Sequence, residues 1–121
     1  MVLVDSSVWV AHFRDGQPAL ARLLADGLVL MHPFVCGELA CGNLKDRVPL
    51  LSDLSALPPA QRASDGEVMH LIDAERLWGR GLGWVDAHLL AATLISECHF
   101  WTLDKRLRSV ATDLKLNFNP G

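Results

Sequence analysis

Two short apolar runs in this chain each end on an aspartate. Val2-Leu3-Val4 stops at Asp5, and Phe100-Trp101-Thr102-Leu103 stops at Asp104. Runs this short suit a strand covered on both faces better than a helix. Leu28-Val29-Leu30-Met31 is a third run of the same kind. With helical stretches between them, the runs imply a parallel sheet carrying helices on both sides. The expected fold class is therefore α/β. It is a three-layer α/β/α domain around a central parallel sheet of four to five short strands, with Leu116 to Phe118 as a last edge strand.

The stretches between the runs read as helices. One starts at Ser6 or Ser7, and Pro18 opens a second that stops at Gly27. Pro33 opens a third, which carries Glu38 and ends near Gly42-Asn43. A fourth runs from Asp46 to Leu57 and is closed by Pro58-Pro59. Ser64 and Glu67 form a capping-box pattern ahead of a helix with Val68, Leu71, Ile72 and Trp78 on one face. Asp86 opens a helix apolar nearly all round, which belongs in the interior. A basic helix, Lys105 to Lys115, follows Asp104.

A length of 121 residues, half of them hydrophobic, suits one domain over residues 1–121 that needs no disulfide or structural metal. No stretch is apolar enough to span a bilayer, and the N-terminus does not read as a secretion signal, so the expected location is the cytoplasm, with no membrane partner. Cys36, Cys41 and Cys98 have no paired spacing and read as small buried apolar residues.

In open parallel sheets, ligands bind beyond the carboxyl ends of the strands. Asp5 and Asp104 both stand there. Glu38 comes from the helix after the second strand, and Asp86 from the start of the buried helix. Each has an ordinary alternative: helix caps for Asp5 and Asp86, a solvated helix position for Glu38, a local ion pair for Asp104. Together they form a cluster with a cost. Two carboxylates ~5 Å apart repel by roughly 3 kcal/mol at an effective dielectric of 20. A hard divalent cation offsets that repulsion, which points to metal-dependent phosphodiester chemistry. The net charge of −3 would argue against a nucleic-acid partner. Setting the four acids aside leaves ten acidic against eleven basic residues, a balance of +1. Lys105, Arg106 and Arg108 after Asp104, with Arg76 and Arg80 before the glycine-rich loop, could then guide a phosphate backbone.

These segments resemble PIN-domain ribonucleases, and in particular the VapC toxins of VapBC toxin–antitoxin systems. VLVDSSVWV resembles the family's first strand and first acid, VCGELACG its ELxxG helix, VDAHLLAATL the helix opening with the third acid, and WTLDKRL its TxD segment. The resemblance implies a PIN-like fold and an endoribonuclease dependent on Mg²⁺ or Mn²⁺. Asp5, Glu38, Asp86 and Asp104 would be the catalytic and metal-holding acids, with Ser6 and Thr102 as supporting polar residues. It also implies an RNA substrate (tRNA being a frequent class in the family), a homodimer, and a VapB-type antitoxin. Leu107 stands where these proteins often carry an aromatic residue, and a leucine fills a similar buried pocket.

The five histidines show no zinc spacing, and His88 reads as a packed residue. Trp78 and Trp101 read as core, while Trp84, beside Asp86, is the tryptophan that could meet RNA. Two other classes of function remain open on the residues alone: a phosphoacceptor domain, and a binding module whose acids are only caps and surface charges.

Overall fold

The computed structural model describes residues 1–121. Three parallel strands form the sheet: β1 (Val2–Val4), β2 (Val29–Leu30) and β3 (His99–Trp101), in the order β2-β1-β3. Seven helices surround them: α1 (Ser6–Asp15), α2 (Pro18–Ala25), α3 (Pro33–Ala40), α4 (Arg47–Ser55), α5 (Asp65–Ala74), α6 (Trp84–Ile95) and α7 (Lys105–Asp113). Val2, Leu3 and Val4 are all buried. Successive strand residues point to opposite faces, so both faces of the sheet are covered and the domain has three layers.

The strand count is lower than the four to five expected. The sheet is continued on each side by one isolated bridge only, Met31 to Pro59 and Phe100 to Asn117. At the first, Met31 donates to the Pro58 carbonyl and Ala60 donates to that of Met31, both at 2.8 Å. Pro59 has no N–H to extend the ladder. At the second, Phe100 donates to Leu116 and Phe118 donates back to Phe100, also at 2.8 Å. The Leu116–Phe118 segment thus lies where an edge strand was expected but pairs through a single residue.

Tight helix ends feed the chain back to the core. After α5, α6 and α7, Arg76, Glu97 and Lys115 adopt positive φ. The next residue then donates back five positions: Leu77 to Ile72, Cys98 to Thr93 and Leu116 to Ala111. These are the closing bonds of Schellman motifs, and the residue that makes each one is buried, as that motif favours. The turn at Glu97-Cys98 delivers the chain straight from α6 into β3, and so sets where β3 ends.

Helix α6 is buried continuously from Ala87 to Thr93, in line with its all-round apolar sequence. The capping box at Ser64 and Glu67 is formed. Two expectations are corrected. Trp78 is not core: it is 61% exposed, because α5 ends at Ala74 and the reversal at Arg76 breaks the helical period that placed it inside. The cysteines are all free, and only Cys98 is buried. Cys41, just past the end of α3, is exposed.

Glu97 bears a side chain in a conformation that glycine adopts without penalty. Glu97→Gly should raise stability by about 0.5–1 kcal/mol, the left-handed cost less glycine's extra chain entropy. Urea denaturation would check this, with an unchanged or lowered midpoint as the contrary result.

Candidate active site

The strand order reverses at β1. The chain passes from β1 to β2 on one side, then crosses back to put β3 on the other. The crevice beyond the carboxyl ends of β1 and β3 is the switch point at which open α/β sheets bind ligands. Asp5 follows β1 there, its N–H donating to the Trp101 carbonyl at 2.9 Å. Asp104 lies three residues past β3.

A cleft of about 500 Å³ opens at this point, lined by Asp5, Glu38, Asp86 and Asp104 together with Ser6, Ser7 and Arg14. The four acids come from four elements of the fold: the end of β1, α3, the first turn of α6 and the N-cap of α7.

Asp5 is buried and is held by a defined network. Although it is the N-cap residue of α1, its side chain makes no capping hydrogen bond. Instead Oδ2 accepts from the Ser7 and Thr102 hydroxyls, each at 2.7 Å. Those hydroxyls in turn accept from backbone: Ser7 from the Leu103 N–H at 3.0 Å, Thr102 from the Asp104 N–H at 3.1 Å. Each hydroxyl has one proton, committed to the carboxylate, so the two oxygens 3.4 Å apart touch without sharing one. Both protein donors fall on Oδ2, which leaves Oδ1 open toward the cleft.

Asp86 and Asp104 work locally as well. The Asp86 Oδ2 accepts from the Gly83 N–H at 2.9 Å, tying down the start of α6. The Asp104 Oδ1 accepts from the Leu107 N–H at 3.1 Å and caps α7. The capping alternative is true of Asp86, while Asp104 caps its helix instead of making the local ion pair weighed for it, and in both one carboxylate oxygen remains unused by the protein. Helix α6 begins at Trp84, two residues earlier than expected, so Asp86 projects from the first turn rather than preceding it.

The carboxylates feel one another. Glu38 is exposed along much of its length, but partial loss of solvent around its carboxyl, then the charges of Asp5 and Asp86, hold that carboxyl above its ordinary range, and the Ser6 hydroxyl partly offsets this. Asp86 is also raised, chiefly by burial; the Gly83 bond opposes that shift, while Asp5 and Asp104 add to it. No three His, Cys, Asp or Glu side chains are gathered tightly enough to enclose a metal among themselves. Four mutually repelling carboxylates spread round an open cleft fit a hard cation that keeps much of its water, as Mg²⁺ does.

Two residues of the cleft were missed in the sequence. Ser7, not its neighbour Ser6, bonds Asp5; which of two adjacent serines faces the strand end depends on helix phase. Arg14 is the one cation lining the cleft and pairs with Asp15 at 2.7 Å. The four-residue spacing of Ser6, Val10 and Arg14 along α1 was the available signal. Leu107 is buried at the cleft wall. Thr102 lies beneath Asp5 rather than on the lining. Trp84, Lys105 and Arg106 are exposed and lie outside the cleft. His88 is buried against Trp84 and Phe34, with ring centroids at 4.7 and 5.0 Å and its Nε2 3.2 Å from Asp65 Oδ1, and does not line the cleft.

Residues 2–113 match the sequence pattern of the PIN domain. Over 114 residues, covering 93% of this chain and 92% of the relative, 42% of positions are identical to Ribonuclease VapC32 of Mycobacterium tuberculosis strain CDC 1551 / Oshkosh. The same figures hold for Ribonuclease VapC32 of strain ATCC 25618 / H37Rv.

Thr102→Val keeps the shape of the side chain but leaves the Asp104 N–H and Asp5 each short of a partner. It should cost about 1–3 kcal/mol, read as a lower urea midpoint; an unchanged midpoint would count against the network. The raised carboxyls carry a pH signature in chelator. A folded-state pKa above the unfolded one means that the folded protein binds the proton more tightly. Stability is then lost as pH rises from the ordinary glutamate value of 4.5 through the raised one. Glu38→Gln should therefore melt higher than wild type at neutral pH, with the gap closing as pH falls below that window. A constant gap across pH would refute the coupling.

Proposed function

This chain belongs to the PIN-domain family, and on that premise we propose that it is a VapC-type toxin: an endoribonuclease that hydrolyses RNA phosphodiester bonds with Mg²⁺ or Mn²⁺. The observation that carries the proposal is the convergence of Asp5, Glu38, Asp86 and Asp104 on one cleft, with Asp5 buried and fixed from behind.

In this reading residues 1–121 act as a single PIN domain in the cytoplasm, and the four acids hold the metal directly or through water. When bound, the ion neutralises charge developing on the scissile phosphate and favours attack by a water. The chain's own residues prepare that event. Ser7 and Thr102 fix the Asp5 carboxylate so that Oδ1 faces the cleft, and Ser6 lines the cleft with Glu38. Asp86 and Asp104 present their free oxygens from helix starts whose own N–H groups they satisfy. Trp84, Lys105 and Arg106, exposed beside the cleft, are the side chains proposed to meet RNA, with tRNA a substrate class to test. A VapB-type antitoxin and a second copy of the chain are the proposed protein partners.

Asp5→Asn tests the proposal. It should lower RNA cleavage by more than the roughly 10–100-fold that removing a residue supporting a metal ligand costs. It should also abolish growth arrest on induction in a bacterium while leaving the fold intact by circular dichroism. Mg²⁺ should raise the melting temperature of the wild type and not of the variant. Equal cleavage or equal arrest by both proteins would reject the assignment.

A further inference from the structure

Beside the carboxylate cleft lies a second hollow of the opposite charge. It measures about 330 Å³ and is lined by Arg80, Lys105, Arg106 and Ser109 alone, with no apolar residue. We propose that it is a subsite for one non-scissile phosphodiester group of the RNA strand whose cleavage is proposed above, and it rests on that ribonuclease reading.

The chemistry of the lining suits a phosphate. Two guanidinium groups offer forked donors, Lys105 adds an ammonium, and Ser109 a hydroxyl. Lys105 and Arg106 take part in none of the chain's ion pairs. Arg80 has a protein partner, its Nη2 lying 2.8 Å from Asp113 Oδ2 and 3.4 Å from the Ser109 Oγ. Both interactions use the same nitrogen, so the rest of its fork is uncommitted. The absence of an apolar ledge disfavours a peptide segment, which would anchor through side chains.

The backbone is arranged to let Arg106 occupy this position. A Cβ on Gly81 would stand 2.7 Å from the Arg106 Cδ and 3.1 Å from its Nη1, so the arginine lies directly over the glycine. Gly81 has φ of 80°, which glycine takes freely. Pinning the arginine stem against backbone lowers the entropy lost when its head group engages a ligand. The hollow is also joined to the acids through the chain. Lys105 follows Asp104 directly, and Gly81 is two residues before Gly83, whose N–H the Asp86 carboxylate accepts. The acids and the hollow share no lining residue, so the proposed strand would place one phosphate among the acids and run past the start of α7 to seat another in the hollow.

The test uses Asp5→Asn with Mg²⁺ present, so that the probe is not cut. The probe is a short fluorescein-labelled single-stranded RNA of mixed sequence, titrated by anisotropy over a range of salt. Lys105→Gln with Arg106→Gln is then added; glutamine keeps the stem as far as the Cδ that packs over Gly81. The proposal expects weaker binding and a log–log salt slope shallower by about 0.7 for each phosphate no longer neutralised, with an unchanged melting temperature. Unchanged affinity and slope would overturn it, and so would a lower melting temperature with the slope intact, which marks a structural role. If the parent does not bind RNA at all, the ribonuclease reading fails and takes the subsite with it, so the two failures are told apart.

Discussion

The site depends on how Asp5 is held. Its Oδ2 takes two short hydroxyl bonds, from Ser7 at the start of α1 and Thr102 just past β3. Those hydroxyls are oriented by the Leu103 and Asp104 backbone N–H groups. A buried carboxylate without donors would cost several kcal/mol or take up a proton. Here one donor is local and the other, Thr102, comes from 97 positions along the chain. The ends of β1 and β3 are thereby locked together by polar bonds as well as by the parallel ladder, and one carboxylate oxygen is left open. Because Thr102 accepts from Asp104 as well, the same network fixes where the fourth acid enters α7.

Helix capping and site formation turn out not to be rivals. The ordinary explanation of Asp86 is that it satisfies a helix N-terminus, and it does, as does Asp104. A capping carboxylate spends one oxygen on the helix and is held rigid by it, and the other oxygen is free to face the cleft. Asp5 is the exception: it occupies an N-cap position and caps nothing, its side chain drawn instead to the two hydroxyls. A carboxylate that forgoes a nearby cap for a buried cross-strand network is the feature that separates this arrangement from a set of surface acids.

The legible part of the molecule was the part encoded over a few neighbouring residues. The apolar runs ending at Asp5 and Asp104, the capping box at Ser64, Pro33 at a helix start and the all-round apolar α6 each follow from local pattern. What escaped depended on distance or phase. Trp78 continues the spacing of Val68 and Leu71 on paper, yet the helix stops first, at a positive-φ arginine that no simple stop signal announces. Ser7 and Ser6 differ only in which side of α1 each meets. Arg14 enters the cleft because α1 continues for two further turns. The edge of the sheet was overcounted because an alternating triplet such as Leu116-Asn117-Phe118 can lie in strand position and still pair through one residue.

The charge distribution completes the argument. Loss of solvent, with the charges of Asp5 and Asp86 added at Glu38 and those of Asp5 and Asp104 added at Asp86, raises two of the carboxyls, so the metal-free cleft is a place where the fold is less stable than it could be. Arg14, the one cation at the cleft wall, is tied to Asp15 at the surface rather than to any of the four acids. A fold that sought only stability would have paired those acids with arginine or lysine. Here the other cations near the acids, Arg80, Lys105 and Arg106, are gathered outside the cleft in a hollow of their own. Keeping the opposite charges apart costs stability in the free protein and leaves both sets available: acids for a cation, bases for an anion. A metal ion with a polyanionic strand is the kind of ligand pair that satisfies both at once.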